Sequence, residues 1–471
     1  MKTTRRVLAL LLFLCFLTAT ATGQQAAPAP PAPADNAEFL RTADEIMAEM
    51  SRILGLPAKE SLRKSIRSRE QIREYLISQF RSQKDAAKRY ADQKTLEKFG
   101  LLPRGFELEK FLVALLTEQI AGLYDPKSNE FFIADWLGMT EQKLVMAHEL
   151  VHALHDQHYQ IESWLNAAKP NDDALLARDA VLEGSAIAAM FDYVFASMGQ
   201  SRDVRSLPDV GKLIRLQMAA EFKSNPMFAS APLYIREALL FPYVHGASFT
   251  QRVLKGGAGW AELGRVFRDP PVSTQQVLHP ELYQEGSTPA PVTLPPLLPL
   301  LPRGWKELDQ NILGEFGLSL VLWELLGEEN ARQLAPAWAG DRYALLENPQ
   351  SGRLLLVFRL RLDTHESAGR FLGQYGDALE KKYKQRSSVL RRPGFFSFET
   401  EEGGAFLRCA RDECLSVEGA GRATFDRIAR AAGFPSAPVG RPARPATSRR
   451  ASRASHPPLT VFAAAPAGAR P

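Results

Sequence analysis

The chain has 471 residues, 45% of them hydrophobic and 24% charged, with 32 glycines and 32 prolines. This is globular composition for two or three domains, and it excludes a wholly disordered, collagen-like or multi-span membrane chain. The formal net charge is +5, but Lys2, Arg5, Arg6 and six arginines after Pro435 more than account for it, leaving residues 24–435 at a net −4. The basic balance belongs to the ends, so no nucleic-acid partner is expected.

Residues 1–23 have the layout of a signal peptide. Three cations precede the apolar run Val7–Leu17, and Ala21-Thr22-Gly23 before Gln24 has the spacing of a signal-peptidase site. An eleven-residue run is too short to span a hydrocarbon core of ~30 Å as a helix. The expectation is an exported protein, periplasmic or extracellular, with no integral membrane span in the mature chain. Residues 24–37 form an Ala/Pro linker, which favours an extended chain.

Residues 38–109 read as a helical region, with Phe39, Ile46, Met50 and Ile53 at helical spacing. Phe111–Ala121 continues as helix. A hairpin follows over Gly122–Asp135, with the turn Asp125-Pro126-Lys127-Ser128-Asn129. Two helices are predicted next, from Thr140 to about Leu165 and from about Asp173 to Met198. Residues 208–266 are helical with Pro and Gly punctuation, completing a region that extends over 110–288. Residues 289–302 are a Pro/Leu-rich linker. A C-terminal α+β domain is expected over 303–435. It has a helix at Leu308–Leu326, a hairpin of Arg342–Glu347 with Leu354–Leu362, a helix at Thr364–Lys382, strands near 395–400, 405–409 and 414–418, and a last helix at 422–432. Cys409 and Cys414 flank a four-residue turn, within disulfide range if the two stretches pair, as export permits. Residues 436–471 are a basic tail of Pro, Ala and Arg without apolar periodicity.

Chemistry concentrates in the first of the two central helices. Four of the eight histidines, His148, His152, His155 and His158, fall within eleven residues, and His148-Glu149-Leu150-Val151-His152 is an HExxH pattern. Helical positions four apart lie about 40° apart around the axis and about 6 Å apart along it, so both imidazoles leave one face toward one point. Two such nitrogens can share Zn²⁺. Glu149, just off that face, is placed to take a proton from a water activated by the metal. Eight scattered histidines give only about 0.1 chance pairs at this spacing, and an adjacent Glu makes the pattern rarer still.

A catalytic zinc takes three protein ligands. Glu183, in Val181-Leu182-Glu183-Gly184-Ser185-Ala186, lies on the next helix at a distance that allows an antiparallel return, and the small residues after it permit close approach to the metal. The competitor is His158, because His148–His158 also fits HExxHxxGxxH. His155 stands where that pattern has its helix-ending glycine, which disfavours it. Tyr243, His245 and His279 are candidate donors to a developing oxyanion. Either Gly122–Tyr124 or Glu130–Ala134 is a candidate edge for an extended substrate.

His148–Tyr159 followed by Val181–Ala186 resembles the gluzincin metallopeptidases, of which thermolysin is the familiar member. It resembles more closely a group of bacterial exported zincin-like proteins that share a Tyr-Asp-Pro hairpin (Tyr124–Pro126), HELxHALxDQH, a Glu-Gly-x-Ala helix and a segment matching Ser273–Tyr283; the likeness runs from about 110 to 345. The resemblance implies zinc held by His148, His152 and Glu183, Glu149 as general base, and a peptide or protein substrate. Asp156 stands where thermolysin-like helices also carry an acid. His155 replaces a more usual Gln, and Ile187 stands where thermolysin has a second acid.

The expected fold is therefore α+β and mostly α: a zincin-like catalytic region with two antiparallel active-site helices, followed by a C-terminal α+β domain. The expected function is exported zinc-dependent peptide hydrolysis. The alternatives are ligation through His158, and a catalytically inactive, zinc-stabilised binding protein of the cell envelope.

Overall fold

A computed structural model describes residues 36–80 and 86–435. The signal-peptide region, nearly all of the Ala/Pro linker and the basic tail lie outside the described residues. The chain opens with helix α1 (Asn36–Leu54), whose buried Phe39, Ala43, Ile46, Met47, Met50 and Leu54 form one stripe. Strand β1 (Arg63–Arg67) and helices α2 (Arg69–Phe80), α3 (Ala86–Phe99) and α4 (Leu108–Gln119) follow, then strands β2 (Gly122–Asp125) and β3 (Glu130–Ala134). Helix α5 (Met139–Tyr159) and the short α6 (Ile161–Asn166) lead into α7 (Asp172–Ser197), and α5 and α7 pack against each other. Helices α8 (Val210–Ser224), α9 (Pro226–Ala229), α10 (Leu233–Gly256), α11 (Trp260–Arg268), α12 (Thr274–Leu278) and α13 (Pro280–Gln284) complete this part.

The C-terminal part contains β4 (Lys306–Asn311), α14 (Gly314–Leu326), α15 (Glu328–Leu334), β5 (Trp338–Asn348), β6 (Arg353–Leu362), α16 (His365–Lys382), β7 (Ser387–Arg392), β8 (Phe395–Thr400), β9 (Gly403–Ala410), β10 (Glu413–Ala420) and α17 (Arg422–Ala431). Its seven strands form one antiparallel sheet in the order β4-β5-β6-β10-β9-β8-β7. Alternation along the strands covers both faces. Leu407 and Phe396 join the core containing Phe371 and Tyr375 of α16, whereas Phe406 stacks on Phe425 of α17. The fold is α+β and mostly α, as the sequence suggests.

Three local expectations change. Residues 38–99 are not wholly helical: β1 pairs in parallel with β3, and Arg67 sits 4.0 Å from the Phe132 ring while bonding Glu130 at 2.9 Å. Those partners, more than sixty residues on, override the local helical bias. Residues 306–311 are a strand rather than the start of a helix, because they pair with β5. The Cys409–Cys414 turn spans two residues, Arg411 and Asp412, with Arg411 at φ 55°; the cysteines sit directly opposite each other and are joined.

The small sheet has the order β1-β3-β2. Glu130–Ala134 is therefore central and cannot be an edge, whereas β2 is one. A first apolar core joins α1, α4, the small sheet, α5 and the C-terminal half of α7. A second draws Phe99, Val181, Phe249, Phe316, Trp338 and Phe358 together, and so packs across the 289–302 stretch. Thr274 ties these parts to each other. Its hydroxyl donates to Asp173 Oδ1 at 2.6 Å and accepts from Phe316 N at 3.2 Å.

Candidate metal site

Helix α5 is buried on every side from Val145 to His155, as befits a helix inside a core. It stops at Gln160, which takes a left-handed conformation with φ 52°. Helix α7 starts cleanly: Asn171 caps it by accepting from Ala174 N at 3.0 Å, and Asp172 and Asp173 complement the positive end of the helix dipole.

These two helices bring His148, His152 and Glu183 together. His148 Nε2 lies 3.1 Å from Glu183 Oε2 and 3.2 Å from His152 Nε2, and His152 Nε2 lies 3.5 Å from the same carboxylate oxygen. All three residues are buried. Four-coordinate zinc with bonds of ~2.0–2.1 Å has ligand–ligand separations of about 3.3–3.4 Å, and the three observed separations bracket that range. Two imidazole nitrogens and a carboxylate oxygen are also a zinc donor set. Two imidazole nitrogens that point at each other from 3.2 Å need a proton or a cation between them. The residues present therefore fit the ion.

Burial pushes Glu183 up, but the charge on His152 and the bonds from both histidines outweigh it and hold the carboxyl at about 2. Burial pushes His152 down, and Glu183 more than reverses this.

Glu149 is 4% exposed and is pushed up by burial. Its Oε2 accepts from the backbone N of Tyr124 at 3.0 Å. Gly122 makes this approach possible: a Cβ there would come 2.4 Å from Val145 and 3.2 Å from the Phe132 carbonyl oxygen. The Tyr124 hydroxyl donates to Asp156 Oδ2 at 2.9 Å, and Asp156 Oδ1 accepts from Ile161 N at 2.8 Å. The Tyr-Asp-Pro hairpin thus holds Glu149 through its backbone and Asp156 through its side chain. Sequence reasoning singled out the hairpin but not these bonds.

The other candidates lie elsewhere. Helix α5 continues through His158, whose Nε2 pairs with the Pro57 carbonyl at 2.8 Å, so it does not join the cluster. His155 is fully buried against Phe267 at 4.7 Å, and burial pushes it well below its usual value. Tyr243 stacks on His148 at 6.2 Å and so borders the site. His245 rests on Phe241 at 5.1 Å and is pushed down to about 3 by burial, with Arg215 adding to the effect. His279 Nε2 is engaged with Glu315 Oε1 at 2.8 Å. Gly184 faces Gly246 of α10 rather than His148 or His152, so this small residue after Glu183 serves helix packing.

Residues 301–429 match the model of a family described as a domain of unknown function (DUF8575). That match covers the C-terminal sheet and leaves α5 and α7 outside it. No curated protein and no solved structure matches the chain.

Proposed function

We propose that this protein is an exported zinc-dependent metallopeptidase of the gluzincin type, with His148, His152 and Glu183 as zinc ligands and Glu149 as general base. The observation that carries the reading is the convergence of three buried ligand atoms beside a fourth, non-ligating carboxylate. Zinc bound there would supply a Lewis acid that polarises a carbonyl and lowers the pKa of water toward ~7.

The chain's own residues supply the rest. Glu149 follows His148 on α5, so its carboxylate stands beside the ligand face and not on it. The Tyr124 N–H fixes Oε2, which leaves Oε1 for a proton. Burial raises the affinity of Glu149 for that proton, a direction that suits a group working as base and then as acid near neutral pH. Asp156, bonded by the Tyr124 hydroxyl, steadies the hairpin that carries this N–H. Tyr243, against His148, is the best-placed candidate to donate to a developing oxyanion.

A second reading has one observation in its favour. His148, Glu149, His152 and Glu183 are each less than a tenth exposed, as expected of a zinc that stabilises a binding protein. Metal analysis would separate both readings from a metal-free protein. About one zinc per chain is expected in the wild type, falling toward zero in His148→Ala and His152→Ala. Full zinc in both variants would remove the site.

For export, N-terminal sequencing of the mature protein should begin near Gln24. An N-terminus still at Met1 in the secreted or periplasmic fraction would contradict it.

A further inference from the structure

A cavity of about 400 Å³ lies among α3, α4, α7, α10 and α14. Its size falls within the ~300–1,000 Å³ of small-molecule sites, and protein interiors seldom leave such space unfilled. None of His148, Glu149, His152 and Glu183 lines it, so it is separate from the metal site. Its walls are largely apolar, with Leu112, Leu176, Ile235 and Phe316 among them. Phe316, like Ile312 and Tyr343 in the same wall, belongs to the region matched to the unknown-function family.

The charged groups of the wall are already engaged. Lys88 bridges Asp92 at 2.7 Å and Asp172 at 3.6 Å. Arg89 pairs with Glu109 at 3.2 Å. Asp173 accepts from the hydroxyl of Thr274 at 2.6 Å and from its backbone N at 3.2 Å. Asp179 is likewise engaged. An ion of either sign would give up its water on entry and find no free counter-charge, which is costly. An uncharged apolar group meets no such cost and gains by leaving water.

One wall residue has an unmet hydrogen bond. Thr95 of α3 is 6% exposed, and its Oγ1 is buried with no partner among the described residues. A helical threonine commonly donates to the carbonyl one turn back, as Thr117 does to Val113 O at 2.7 Å; Thr95 does not. Its hydroxyl can donate and accept, so either a hydroxyl or a carbonyl would satisfy it. We propose that the cavity binds a small, uncharged, largely apolar molecule whose one polar group, a hydroxyl or a carbonyl, bonds Thr95. The site rests on neither the zinc nor the peptidase reading.

The test titrates the full chain with naphthol and three relatives, followed by naphthyl fluorescence. Naphthalene lacks the hydroxyl, and naphthoate and naphthylmethylammonium carry opposite charges. Naphthol should bind one to one, with each charged relative at least tenfold weaker. Thr95→Val keeps the shape of the wall and removes the hydroxyl, so it should weaken naphthol at least threefold and leave naphthalene unchanged. Ala238→Trp, which fills the cavity, should abolish naphthol binding in a protein with the wild-type urea midpoint. If it misfolds, Ile235→Phe replaces it. Naphthol that fails to bind the wild type, a charged relative that binds as tightly as naphthol, or naphthol binding unchanged in a folded, filled variant would overturn the site. Equal losses of naphthol and naphthalene in Thr95→Val would overturn the bond to Thr95.

Discussion

The backbone N–H of Tyr124, on the edge strand β2, donates to Oε2 of Glu149 on α5 at 3.0 Å. The bond is independent of the side chain at 124, and it fixes one carboxylate oxygen of the residue proposed as general base. The Tyr124 ring is left to bond Asp156. Strand and helix are thereby locked at two points about two turns apart on α5, and the position of Glu149 becomes a property of the hairpin.

Tyr124→Phe separates these two bonds. It removes the hydroxyl from Asp156 and keeps the backbone donor to Glu149. A lost hydrogen bond to a half-buried carboxylate costs about 1–2 kcal/mol. Urea denaturation should show that loss, with zinc content unchanged. A variant as stable as the wild type would mean that the Asp156 bond contributes nothing.

The third ligand is decided by two substitutions measured side by side. Glu183→Ala should strip or loosen the metal, because Glu183 Oε2 lies within 3.5 Å of both histidine nitrogens. His158→Ala should keep the metal and lose only the bond to Pro57, a cost of about 1 kcal/mol. The reverse pattern in metal analysis would transfer the ligand to His158.

Gly184 and Gly246 set the distance between α7 and α10. A Cβ on Gly184 would stand 2.0 Å from the Gly246 carbonyl carbon, and backbone there has no cheap way to yield. Gly184→Ala should therefore destabilise the protein by about 1–3 kcal/mol and weaken zinc retention, since Glu183 is its neighbour. Gly373→Ala, on α16 with nothing within 4 Å of the added carbon, should be neutral or stabilising by up to about 1 kcal/mol. Similar urea midpoints for the two variants would refute the close-packing account.

Much of this architecture was legible in the sequence because its causes are local. The two central helices follow from apolar periodicity, the acids opening α7 and the i,i+4 histidines. The hairpin at 122–134 follows from its turn residues. What was hidden depends on distant partners. Strand β1 has a charged, helix-biased sequence and becomes a strand only because β3 pairs with it. Strand β4, Lys-Glu-Leu-Asp-Gln-Asn, lacks any β signature and is fixed by β5. The segment Ser273–Tyr283 stood out as a motif, yet its use was invisible: Thr274 bonds Asp173 at the start of α7, and His279 bonds Glu315. The motif works as a joint between the metal-site helix and the C-terminal part.

Asp341 predicts a pH dependence of stability. It is buried and accepts from Leu313 N, Gly314 N and Trp338 Nε1, each at 2.8 Å. Burial raises its carboxyl to about 6 in spite of those donors. A folded-state value above the ordinary one means that its stabilising contribution is complete below about 4 and is lost as pH rises through about 6, by roughly 3 kcal/mol. Asp341→Asn cannot titrate. The stability difference between wild type and variant should thus shift against the wild type between pH 4 and pH 7 in urea titrations. A difference that stays constant over that range would contradict the raised value.

The central claim is that zinc and Glu149 together hydrolyse peptide bonds, and one comparison tests it most directly. Wild type and Glu149→Gln are purified as full chains, and zinc per chain and peptide hydrolysis are measured on the same samples. Glu149 is not a ligand in this account, so both proteins should carry about one zinc. Loss of a general base is worth roughly 10²–10⁴ in rate, so hydrolysis by Glu149→Gln should be at least a hundredfold slower. Equal hydrolysis by the two proteins, or a wild type that binds zinc and cleaves nothing across a broad peptide library, would contradict the account.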